Sequence, residues 1–249
     1  MKSLAALAPR KSPSSSRPLQ LSRYLASVPP SPLKVYWEYK VPADQWNMFG
    51  NDSIGDCTCA CIAHTLMCAT IHTGSMVVPT VEEVVAAYSA ITGYVPGDPS
   101  TDQGAAIPDV LEYWRKTGIA GHQILAWAEV DQTNIEEVRQ AIWLFGGVNV
   151  GISVYQSMEE QFDQGKAWDQ PSGQNLGGHS VPLFGYGRDG CTCVTWAKLQ
   201  QMGWGTFSKI CSEAYAVVTQ DWVDKLSGKS YSGFDISQLL ADLADLKQD

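Results

Sequence analysis

The sequence predicts an α+β protein of two lobes, helical first and strand-rich second, on two observations. The first is bulk: 249 residues, 45% hydrophobic and only 17% charged, with nine Trp, suit one large domain or two fused lobes rather than a disordered chain. The second is order. Segments with capping residues and helical spacing fill the first half, and short runs rich in β-branched and aromatic residues, parted by glycine turns, fill the second. Charge is split along the chain as well: residues 1–37 carry six Lys or Arg and no Asp or Glu, so this segment is +6 and, against an overall −9, the rest is −15, which sets the N-terminal segment apart from the body.

Residues 1–33 hold six of the thirteen prolines and the run SPSSSRP, too little apolar surface to offset chain entropy. They read as an extended basic arm, either a disordered leader or a strap that orders against an acidic partner or against its own domain. The body spans 34–230, with a helical lobe over about 50–125 and a β lobe over about 126–230. Asp56–Thr70 reads as a helix with Asp56 at its N-cap. Thr80–Thr92 is a second, with Glu82 and Glu83 in its first turn, where acids suit the helix dipole. Ile107–Thr117 is a third, ended by Gly118, and Asn134–Phe145 a fourth. Strands are expected at Val148–Val154, Val181–Gly185, Cys191–Trp196 and Ala214–Thr219. The tail, 231–249, places Ile236, Leu239, Leu240, Leu243 and Leu246 at helical spacing, an amphipathic helix that docks on the body or on a partner.

The negative body disfavours general affinity for nucleic acid or an anionic membrane surface. No apolar run approaches the roughly 20 residues of a membrane span. The apolar stretch Leu4–Ala8 is shorter than the roughly 7–15 residues of a secretory core, so no signal peptide is expected. Seven Cys, four of them crowded into positions 57–68, do not form an even disulfide framework. The expected setting is a reducing one, cytoplasmic or within an assembled particle.

Thiol chemistry needs a thiolate, which folds favour by placing Cys at a helix N-terminus beside an imidazole. Cys57 begins the first predicted helix, whereas Cys59, Cys61 and Cys68 fall deeper inside it and read as small buried hydrophobes. Among His64, His72, His122 and His179, only His179 leads into a strand-like run, GGHSVPLFGYG; alone, such a His more often serves structure. Cys57, Cys61, His64 and Cys68 share a helical face. Their eleven residues nevertheless rise about 16 Å, too far for one zinc ion to collect all four. No metal or cofactor is expected.

Five segments together resemble the papain-like cysteine peptidases, in that family's order from about residue 34 to 220. They are KVYWEYKV (34–41), GNDSIGDCTCA (50–60), DQGAAIPDVLEYWRKTGI (102–119), VRQAIWLFGGVNVGISV (138–154) and HSVPLFGYG (179–187). The resemblance implies a papain-like two-lobed fold with its site in the cleft, Cys57 as nucleophile and His179 as base. It also implies an oxyanion donor at Asn51, which lies six residues before Cys57 as the family's Gln does.

Departures accompany the match. The family's second Cys, three residues before the nucleophile, is Ile54, and the Trp after the nucleophile is Thr58. No Asn or Asp stands where the His should be oriented: aligning Trp196-Ala197 with the family's Trp-Gly puts Val194 there, and ungapped counting puts Thr195. Gln200 or Gln201 could serve through another loop. The expected function is thiol hydrolysis of a peptide or amide bond in a peptide or protein substrate. The alternative is a weak or inactive structural relative, such as an assembly component of a virion-like particle, associating through its arm and C-terminal helix.

Overall fold

The computed structural model describes residues 19–23, 25, 30–224, 229, 230, 237 and 241. In chain order the elements are β1 (Val35–Tyr36), α1 (Cys57–Thr73), α2 (Val81–Thr92), α3 (Ile107–Lys116), β2 (Ile124–Glu129), α4 (Ile135–Phe145), β3 (Val148–Tyr155), α5 (Gln156–Asp163), β4 (Asn175–Tyr186), β5 (Gly190–Thr195), β6 (Lys198–Gly203), α6 (Trp204–Ile210) and β7 (Cys211–Thr219). These seven strands form one antiparallel sheet in the order β2-β7-β3-β4-β5-β6, with β1 paired to the end of β4, and a separate two-stranded ribbon pairs Val223–Asp224 with Lys229–Ser230.

Two of the helices, α2 and α4, start and stop for local reasons. Thr80 and Glu83 form a reciprocal capping box at α2, and Gly93, left-handed at φ 79°, closes that helix. Asn134 accepts from the Glu137 amide to open α4, and Gly146 ends it in the same left-handed conformation. α1 is apolar or small on every side and almost wholly buried, as a helix enclosed all round must be.

Two hydrophobic cores flank α1 and the sheet. One, built around Leu66, Val84, Leu111 and Trp114, binds α1–α3 to the inner face of the sheet through Phe184, Val194 and Val217. The other packs α4, α5 and α6 on the opposite face around Ile142, Val150, Leu183 and Phe207. A buried polar tie links the lobes: the Thr65 hydroxyl donates to Asn149 Oδ1 on β3 at 2.9 Å.

Several expectations change in detail. Asp56 occupies the N-cap position of α1 but its side chain caps nothing. It is wholly buried behind Gly50, and burial drives its carboxyl well above the usual carboxylate range. β4 extends to twelve residues, beginning at Asn175 rather than Val181. β2, α5, β6 and α6 were not anticipated. Of the basic arm, Gln20 bridges to Glu129 of β2, Leu21 joins the core, and Ser31 and Pro32 bond Glu136 and Arg139 of α4. Residues 1–18, 24 and 26–29 of the arm, and the amphipathic tail apart from two positions, lie outside the described residues. No helix among the described residues is long and apolar enough to cross a membrane.

Candidate active site

Cys57 is the first residue of α1, and His179 lies on β4, paired across the sheet with Ile152 of β3. Both line one pocket between the lobes. Gly55, Thr58, Gly104 and Ala105 form its helical wall, and Ile152, Gly178, Ser180 and Glu213 its β wall. The pocket thus gathers a thiol, an imidazole and one carboxylate where helical lobe and sheet meet.

The imidazole is held from two sides. His179 Nε2 lies 2.9 Å from the Thr195 hydroxyl on the neighbouring strand β5, and Nδ1 has no hydrogen-bond partner. The indole of Trp196 stacks on the ring at 5.3 Å and 20°. Trp196 and Ala197 join β5 to β6 as a two-residue turn with φ 45° and 60°, left-handed conformations that non-glycine residues adopt at a cost of about 1–2 kcal/mol each. That strain sits directly over the His179 ring, and such strain concentrates at functional sites.

Burial dominates the electrostatics. It pushes the Cys57 thiol up to about 12 and the His179 imidazole down to about 4, with buried His64 nearby adding to the second effect. Each group alone is therefore neutral. Moving the thiol proton to Nδ1 would create both charges together, and their attraction in this poorly solvated space offsets part of the burial cost.

The remaining sequence candidates separate. Asn51 donates its carboxamide N–H to the Ile54 carbonyl at 3.2 Å, within its own turn, and does not line the pocket. Gln200 donates to the carbonyls of Lys166 and Gln201 on the far side of β6, and Gln201 is exposed. Val194 points into the helical core. Sequence reasoning missed Glu213 and the strained Trp196-Ala197 turn. All seven cysteines are free thiols, and no cluster suited to a metal ion occurs among the described residues.

No protein-family model and no curated protein matches the sequence. Solved structures do match its shape. Xylellain, a cysteine protease from Xylella fastidiosa, superposes with a TM-score of 0.64 at 18% identity over 87% of this chain and 96% of that one. Digestive procathepsin L 3 from the larval midgut of Tenebrio molitor gives 0.61 at 14% identity over 86% and 77%. A Carica candamarcensis cysteine protease in complex with E-64 gives 0.54 at 14% identity over 75% and 98%. The chain has the papain-like fold. At these identities the likeness extends to architecture and leaves activity to be argued from the site.

Proposed function

We propose that the chain is a papain-like thiol hydrolase acting on a peptide or other amide bond. The observation that carries this reading is the shared interlobe pocket of Cys57 and His179, with Nε2 on Thr195 and Nδ1 without a partner. In the tautomer whose Nε2–H donates to Thr195, Nδ1 is a base. It takes the Cys57 proton as sulfur attacks the carbonyl carbon. The tetrahedral oxyanion forms at the N-terminus of α1, where the Cys57 N–H is a natural donor and Asn51 a candidate second one. The imidazolium then protonates the leaving amine, and water, deprotonated by the same nitrogen, releases the acyl group from sulfur.

A second reading, an inactive or weak binding relative, draws support from the raised Cys57 pKa and from a hydroxyl standing where a carboxamide orients the imidazole. Peptide-amide hydrolysis and mapped iodoacetamide labelling, in wild type and His179→Ala, separate the two. The hydrolase reading expects labelling concentrated on Cys57 and hydrolysis falling on the order of 10⁴-fold in the variant. Equal labelling of several cysteines, or a rate indifferent to His179, would sink it.

A further inference from the structure

The helical wall of the pocket is made of two backbone segments that no regular element holds together: the loop entering α1, with Gly55, and the loop entering α3, with Gly104 and Ala105. A single side-chain chain spans them. The Asp102 carboxylate accepts the Gly55 N–H on Oδ2 at 2.8 Å and the Tyr88 hydroxyl on Oδ1 at 2.5 Å. The Tyr88 oxygen in turn accepts the Gly104 N–H at 2.9 Å. Tyr88 comes from α2, is completely buried, and rests against Tyr94, so the phenol cannot swing away. Gly55 is matched to this arrangement: a Cβ there would stand 2.9 Å from Asp102 Oδ1.

We propose that Asp102, acting through Tyr88, is a positioning residue for the proposed Cys57 reaction: a hydrogen-bonded clamp that sets the spacing of the Gly55 and Gly104 walls against which the substrate chain lies. This rests on the hydrolase reading above. The clamp touches neither Cys57 nor the His179 ring, so its loss disturbs the seating of a peptide rather than the chemical step. Charge-assisted bonds of this kind, at hydroxyl–carboxylate distances near 2.5 Å, are among the stronger neutral-pH ties a fold can make without a covalent link.

The test uses a benzyloxycarbonyl-dipeptidyl fluoromethyl ketone, whose saturable reaction with a thiol separates binding (KI) from chemistry (kinact) without requiring turnover. It is applied to wild type, Asp102→Ala, which removes the acceptor of the Gly55 N–H, Tyr88→Phe, which removes the acceptor of the Gly104 N–H, and the double variant. Each single change should raise KI about ten-fold while kinact stays within about three-fold, because an unsatisfied backbone donor loosens one wall. The double variant should be no worse than the poorer single one, since both act through one chain of bonds. Amide exchange at Gly55 in Asp102→Ala, and at Gly104 in Tyr88→Phe, should quicken about ten-fold or more. Unchanged KI, additive effects, or a fall in kinact that merely tracks a lower melting temperature would overturn the clamp. A wild type that does not label at Cys57 overturns the hydrolase reading, and the positioning role with it, whatever the exchange data show.

Discussion

The two walls of the pocket are built on different principles. The β wall hangs on a continuous ladder: His179 is fixed by pairing to β3 on one side, and its ring by Thr195 of the next strand and by the Trp196 indole. The helical wall has no ladder. Its loops are tied by side chains, through Asp102, Tyr88 and the Asn51 carboxamide on Ile54, in front of helices α1 and α3. A ladder distributes its strength over many bonds, whereas a side-chain tie concentrates it in one, so single substitutions should expose the helical wall more in binding and the β wall more in chemistry.

The largest expected effect lies at the seam of the two lobes. Glu38, on the turn between β1 and α1, is buried against Gly185 of β4, where any Cβ would collide with its carboxylate, and burial raises its pKa from 4.5 to about 7. Below pH 4.5 the acid is protonated whether the chain is folded or not. As pH rises from 4.5 to about 7 the unfolded chain gives up the proton while the folded one retains it, and the stability held at low pH is lost, in all about 3 kcal/mol. Other shifted groups, Asp56, Glu213 and His179 among them, contribute equally to both proteins, so denaturant melts across this range should show wild type losing about 3 kcal/mol more than Glu38→Gln. A shared slope would mean that Glu38 is hydrated and the seam open.

An intermediate effect tests the β wall. Thr195→Val leaves Nε2 without an acceptor and should lower kcat by about ten- to hundred-fold with KM little changed, while Thr195→Asn, whose carboxamide oxygen can accept, should stay within about three-fold. Steady-state kinetics of the two variants decide it; equal losses would mean that steric fit alone governs position 195. The smallest effect is expected on the helical side of the reaction. Asn51 is engaged within its own turn, so Asn51→Ala should reduce kcat by less than about ten-fold, below the 10²–10³ of a fully aimed oxyanion donor. A loss of hundreds-fold would show that the carboxamide swings to the oxyanion when substrate binds.

What the sequence determined on its own was whatever short-range chemistry encodes. The helices over 81–92 and 135–145 were legible because Thr80, Glu83, Gly93, Asn134 and Gly146 act within one turn of themselves. Cys57 stood out by its place at the start of α1 and His179 by the strand-like run that follows it, although β4 begins at Asn175 and encloses the histidine, and the order of motifs along the chain carried the papain-like architecture. Strands β2 and β6 escaped because their pairing partners, β7 and β5, supply the stabilisation that the short runs ILAWAE and KLQQMG do not advertise. The choice between Val194 and Thr195 could be made only in three dimensions. Neighbouring residues on a strand face opposite ways, so the register of β5 against β4 and β6 turns Val194 into the helical core and Thr195 toward His179, and a shift of one residue would have exchanged them. The clamp at Asp102 belongs to the same class: residues 55, 88, 102 and 104 become neighbours only once α1, α2 and the loop before α3 have packed, because the bonds that join them have no partner within a turn of sequence.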